Sequence, residues 1–221
     1  MKFDANTTRR SVLTYGGAAL TALAAGLPAI GPANAQNVSV ADLLAKQALE
    51  DVFIGKPDAP VTIIEYAALT CSHCGAFHRG TLKELKSRYI ETGKVRLALR
   101  EFPLHALGAA GFMLARCAGP ERRTAIVDFI FSKLEEWLSS KKPFEALQGY
   151  AKQAGITPEA FEKCLNDKEL YKKIETVRNT ASSKFGVTST PTFFVNGTKL
   201  SGDLPIADFA KVIDPLLAAR K

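Results

Sequence analysis

Two cysteines three positions apart, Cys71 and Cys74, enclose Ser72 and His73 just after an apolar run and at the head of a helical pattern. That spacing puts both sulfurs on one helical face, close enough to form a small disulfide. At a helix N-terminus, unpaired backbone N–H groups and the positive end of the dipole stabilise an anion, here the Cys71 thiolate. His73 adds a donor or a positive charge beside the sulfur. Lowering a thiol from about 8.5 by three to four pKa units needs roughly 4–5.5 kcal/mol of thiolate stabilisation. Such a thiolate is a good leaving group, so the matching disulfide tends to pass its bond to a client. A zinc site built from Cys71, Cys74 and His78 wants a fourth ligand, and the sequence has no second paired cluster; no metal is expected. A purely structural Cys71–Cys74 bond is also disfavoured, because so small a loop adds little stability for its strain. The pattern therefore implies thiol–disulfide exchange. His78 and His105 read as surface or helix-cap positions without a role.

The elements that must hold this pair follow from hydrophobic periodicity. After the turn-rich boundary Gly55-Lys56-Pro57-Asp58-Ala59-Pro60, residues 61–66 form a β-branched apolar strand. Residues 71 to about 91 read as a helix ended by Gly93, and 95–102 as the next strand. Helical periods then run over 106–118, 121–138, 144–154, 158–165 and 169–185, separated by Gly, Pro and Asn-Asp breaks. Thr192-Phe193-Phe194-Val195 returns to strand, turns at Asn196-Gly197 and continues through Thr198-Lys199-Leu200, a strong hairpin signal. A final helix starts near Ile206. The order is β–α–β, an all-helical block, then a hairpin and a helix.

The chain has 221 residues, nearly half of them apolar, which suits a packed core. Its formal charge of +7 includes Lys2, Arg9 and Arg10 against Asp4 near the N-terminus, leaving +5 on the remainder. Those charges are interspersed with acids, without a one-signed stripe or aromatic–basic interleave, which argues against nucleic-acid binding. Arg9 and Arg10 precede an uncharged run over 11–41 that reaches Ala33-Asn34-Ala35, a small-x-small cleavage pattern. Residues 1–35 therefore read as a secretory signal, and Gly16, Gly17, Gly26 and Pro28 make a poor membrane anchor. The stretch Thr8-Arg9-Arg10-Ser11-Val12-Leu13 resembles a twin-arginine export motif. Residues 36–55 read as a short amphipathic helical extension and 56–221 as the main domain. An exported chain with four cysteines suggests disulfides rather than reduced thiols or metal.

The strand leading into Cys71-Ser72-His73-Cys74, the helical block and Thr190-Pro191-Thr192 together resemble the DsbA-like branch of the thioredoxin superfamily. The likeness runs from about Gly55 to the C-terminus. It implies an α/β thioredoxin-like fold with an all-helical insertion, about 104–186, between the third strand and the C-terminal β-hairpin. Ser72 departs from the proline of the best-known oxidases, while His73 is retained. The resemblance implies that Pro191 is a cis-proline facing the redox pair and that Thr190 offers its backbone to an extended client. It implies that Glu65 lies under the site as a buried acid assisting proton transfer at Cys74. Some relatives of this type carry a second, non-catalytic disulfide, which here would join Cys117 and Cys164; two buried free thiols are the alternative. The implied activity is periplasmic disulfide introduction into reduced exported proteins, with re-oxidation by a membrane quinone-linked thiol oxidase and no bound cofactor. Residues 36–55 look short for a dimerisation segment, which favours a monomer. Isomerase or reductase activity on the same fold, or a non-catalytic chaperone-like module, are the rival readings.

Overall fold

The β-branched run Val61-Thr62-Ile63-Ile64 opens the central strand β2 (Val61–Ala67), which is buried along its whole length. A strand covered on both faces reads as a continuous apolar run. The computed structural model describes residues 37–219, so the expected signal over 1–35 lies outside the described residues. Strand β2 pairs in parallel with β3 (Val95–Glu101), from Val61 opposite Val95 to Ala67 opposite Glu101. On its other side it pairs antiparallel with β4 (Thr192–Val195), Ile63 facing Val195 and Tyr66 facing Thr192. Strand β4 turns at Asn196-Gly197, both with positive φ, into β5 (Thr198–Ser201). A two-residue strand β1 (Phe53–Ile54) pairs antiparallel with β3, giving the order β1-β3-β2-β4-β5.

Helix α1 (Val40–Leu44) precedes the sheet, and α2 (Ser72–Arg79), α3 (Thr81–Leu85) and a π-helical turn (Lys86–Ile90) connect β2 to β3. Between β3 and β4 lie α4 (Ala106–Cys117), α5 (Pro120–Ser132), α6 (Leu134–Ser139), α7 (Pro143–Gln153), α8 (Pro158–Leu165) and α9 (Lys168–Phe185). The last helix, α10 (Ile206–Ala218), follows β5. This is the α/β sheet with a helical insertion that the sequence implies. Local chemistry sets the boundaries: Thr157 and Asp167 accept hydrogen bonds from Ala160 and Leu170 N–H as N-caps of α8 and α9, and α9 stops at left-handed Gly186.

Three expectations need correction. The helix expected over 71–91 is interrupted at Gly80, whose φ of −114° and ψ of −94° are not helical, and it resumes as α3 and the wider π-helical turn. The helix expected over 121–138 breaks at Lys133, whose N–H turns to the carbonyls of Phe129 and Ile130. Leu134 and Trp137, just beyond the break, are both buried. In 36–55 only five residues are helical, because buried Arg100 captures the following chain. Its guanidinium donates to both Asp51 oxygens at 2.8 and 2.7 Å, to Leu43 O at 2.7 Å and to Tyr66 Oη at 2.9 Å.

The helical block docks on the sheet through an apolar cluster that includes Leu99, Phe112, Phe131, Trp137 and Cys74. Gly111 permits close approach: a Cβ there would meet Leu69 at 3.0 Å and Trp137 at 3.1 Å. Buried Glu101, the last residue of β3, is clasped by Arg116 from α4 and Arg123 from α5, each at 2.7 Å. Burial alone would raise its pKa; the two guanidiniums outweigh that and hold it at about 2. Its contribution to stability is thus complete above the ordinary carboxylate range and is lost as pH falls from there through about 2.

Cys117, at the end of α4, is bonded to Cys164 in α8, with a sequence separation of 47. Closing a loop of that size stabilises by up to roughly 4 kcal/mol on the chain-entropy model. The double variant Cys117→Ala/Cys164→Ala is therefore expected to melt about 5–15 °C lower by circular dichroism. A melting temperature within a degree of the wild type would show that this bond carries no stability.

Candidate active site

Beyond the end of β2 the chain passes through Ala68, Leu69 and Thr70 and turns so that Cys71 becomes the N-cap of α2, with extended φ of −98° and ψ of 122°. No side chain caps this helix start. The first N–H groups are therefore open toward the Cys71 sulfur, and the backbone N–H groups of His73 and Cys74 help to lower its pKa. One turn on, the Cys74 side chain points into the core and is fully buried, while Cys71 stays partly exposed. Both are free thiols.

Thr190 comes from the far end of the chain, since β4 lies beside β2. Its carbonyl accepts a hydrogen bond from Cys71 Sγ at 3.3 Å, and the Thr190–Pro191 peptide is cis. Pro191 is buried and Thr190 half-buried. His73 is exposed, and what it gives the sulfur is its backbone N–H.

These neighbours separate the two thiols. The hydrogen bond from Cys74 is the largest influence lowering the Cys71 pKa; burial opposes it, and the Thr190 side chain and the two backbone N–H groups add to the lowering. The result is about 5. Burial pushes the Cys74 thiol far up, helped by its bond to Cys71 and by the charge of Glu65.

Glu65, in the middle of β2, is fully buried. Both of its carboxylate oxygens lie within reach of His78 Nε2, at 3.2 and 3.1 Å. The other ring nitrogen, Nδ1, meets Asp128 Oδ1 of α5 at 3.1 Å, and Lys86 Nζ holds Asp128 Oδ2 at 3.1 Å. The His78 ring also packs 4.3 Å from the Phe131 ring centroid. The surface or helix-cap position expected for His78 is therefore wrong: its side chain is only 5% exposed. The signal was present in the spacing, because His78 follows Cys74 by four residues and shares its helical face. His105 does sit at a helix start, the exposed N-cap of α4, without a side-chain capping bond.

The family model described as "Thioredoxin" matches residues 47–215. The crystal structure of alpha-DsbA1 from Wolbachia pipientis superposes with a TM-score of 0.75 at 32% identity, covering 82% of this chain and 97% of that one. BdbD from Bacillus subtilis shares the fold, with a TM-score of 0.65 at 22% identity over 76% of this chain and 93% of that one. A Rickettsia bellii protein named as a protein-disulfide oxidoreductase is 32% identical over 150 residues, 67% of this chain. The chain spans 58% of that relative's length. With a thiol pair at the head of α2 and a helical block set between β3 and β4, this chain belongs to the thioredoxin family, in its branch of DsbA-like thiol–disulfide oxidoreductases.

Proposed function

We propose that this protein is a periplasmic oxidase that introduces disulfides into exported proteins by exchange at Cys71–Cys74. The observation that carries this reading is the inequality of the two thiols: Cys71 is lowered to about 5 and partly exposed, Cys74 is raised and buried. A client thiolate attacks Cys71 of the oxidised pair and Cys74 leaves. The client's second thiolate then attacks its own bridging sulfur, and Cys71 leaves as a stabilised thiolate. The client is oxidised by two electrons and the enzyme reduced.

The remaining residues take supporting parts. Thr190 presents backbone to an extended client segment and Pro191 forms the wall beneath it. His73 contributes a backbone donor to Cys71 and an exposed ring to the client face. Glu65 assists proton transfer at Cys74, and the Cys117–Cys164 bond braces the helical block. Residues 1–35 act as the export signal, and the mature protein works as a monomer. A membrane quinone-linked thiol oxidase re-oxidises the pair, and no bound cofactor is needed. Among the described residues, no helix is long and apolar enough to cross a membrane.

Reduction potential separates this reading from a reductase or isomerase on the same fold. An oxidase of this kind should lie near about −120 mV and a reductase near about −270 mV. The thiolate absorbance of reduced protein should titrate with a midpoint of about 5. A midpoint near the ordinary value of about 8.5 would overturn the oxidase reading. Cys71→Ser should abolish transfer to a reduced client, and Cys74→Ser should accumulate mixed disulfides visible on non-reducing gels.

The lowered pKa also fixes a pH dependence. Only the reduced protein has the Cys71 thiolate, and its folded pKa lies below the unfolded one. The resulting stabilisation is complete above the ordinary thiol pKa and is lost as pH falls through about 5. At pH 7 it amounts to about 2–3 kcal/mol. Reduced protein should therefore melt above oxidised protein at pH 7, with the gap closing by pH 4. A gap unchanged over that range would mean that the thiolate is not its source.

A further inference from the structure

The oxidase reading requires Cys74, a buried thiol, to gain a proton when a client opens the disulfide and to lose it when the disulfide closes. Docking of a client over Cys71 and Thr190 covers the exposed side of the pair during both steps. A second way for protons to reach the site has to leave the fold elsewhere.

We propose that His78 and Asp128 are positioning residues that connect Glu65 to solvent and let it exchange a proton with Cys74 behind a docked client. The geometry forms one chain: Glu65, buried beside Cys74, meets Nε2 of His78, and Nδ1 meets Asp128. Asp128 is 37% exposed, so the chain ends in water. His78 follows Cys71 by seven residues, about 10 Å along α2, which places this exit away from the client face. A cavity of about 20 Å³, room for one water, lies against His78 and Asp128 and is lined by Arg123 and Thr124 as well.

The charged and titratable groups around His78 come from every packed element. They are Glu65 of β2, Asp128 and Arg123 of α5, Lys86 of the π-helical turn, and Cys74 and Arg79 of its own helix. Burial disfavours its protonated form, but Glu65 and Asp128 outweigh burial and raise its pKa to about 9. In the reduced state described here, His78 is an imidazolium between two carboxylates.

At the start of the closing step glutathione is bonded to Cys71 in a mixed disulfide. Cys74 passes its S–H proton to Glu65 and attacks Cys71 Sγ. The Cys71–Cys74 bond forms, and the bond to glutathione breaks with its electron pair leaving on the glutathione sulfur. As Glu65 gains that proton, His78 releases its Nδ1 proton through Asp128 to water, so the buried pair keeps its net charge. Opening by a client reverses the traffic: Cys74 takes the proton back from Glu65 as Nδ1 is reloaded from water. The cycle returns to its start without rotation of the ring.

The inference rests on Glu65 serving Cys74, and the experiment separates the two claims. Reduced full-length mature protein is mixed with oxidised glutathione, and closure of the mixed disulfide is followed by stopped flow between pH 6 and 9. Wild type should close at a rate that depends weakly on pH below 8. His78→Gln and Asp128→Asn should each close at least tenfold more slowly at pH 7, with a rate rising about tenfold per pH unit, as hydroxide replaces the relay. The Cys71 titration should stay at its wild-type midpoint in both, which a packing defect near the pair would disturb. Wild-type rates and pH profiles in these two variants, with Glu65→Gln slow, would overturn the relay while leaving Glu65 in place. A normal rate in Glu65→Gln would overturn both. Nitrogen-15 spectra of the wild-type histidine rings give an independent reading: at pH 7, Nδ1 of His78 should carry a proton in reduced protein and none in oxidised protein. The same protonation in both states would overturn the relay.

Discussion

The unequal solvation of two sulfurs one helical turn apart is the constraint on which this structure depends. Cys71 sits where the helix has N–H groups to give and water nearby; Cys74 sits in the apolar cluster between sheet and helical block. Any shift of α2 outward would wet Cys74 and weaken the contrast. Much of the rest of the fold keeps α2 in place. Leu134 and Trp137 pack behind it, and Gly111 lets α4 approach the strand end without a side chain in the way. The hydrogen bond from Cys74 to Cys71 ties the two effects together, since it stabilises one thiolate while holding the other thiol protonated.

The sheet supplies the second half of the site by adjacency of strands distant in sequence. Because β4 pairs with β2, Thr190 arrives beside Cys71 from 119 residues away. Because β3 pairs with β2 on the other side, Arg100 and Glu101 fall next to the strand that carries Glu65. Arg100 then binds the N-terminal segment and Glu101 binds the helical insertion. Consecutive residues of one strand, pointing to opposite faces, thus fasten the two parts of the chain that are not in the sheet.

Features that depend on local chemistry were legible in the sequence. The Cys-x-x-Cys pair at a strand-to-helix turn, the Asn-Gly hairpin and the Pro- and Asp-marked helix starts each carry their own signal, and the helical block followed from periodicity. Features set by tertiary contact were not. Strand β1 is two residues long and exists through its pairing with β3, so no alternation could reveal it. The breaks at Gly80 and Lys133 are not located by periodicity, which reads each stretch as one helix. Taken alone, His78 reads as a surface or helix-cap residue. Its burial depends on α5 crossing over it, and only its spacing from Cys74 gave a hint.

Two buried carboxylates in this fold have opposite physical fates, and the comparison explains why only one suits chemistry. Glu101 is locked between Arg116 and Arg123, cations that do not deprotonate in proteins. Its charge is fixed, and it serves as a rivet between sheet and helices. Glu65 is paired instead with His78, a cation that can release its proton, and that proton has a path to Asp128 and water. A carboxylate facing an arginine could accept a proton only by leaving an unpaired positive charge in the core, at a cost of several kcal/mol. Facing a histidine, it can accept one while its partner gives one up. The buried pair then stays balanced in both redox states, and the thiol next to it can change protonation without exposing the core to water.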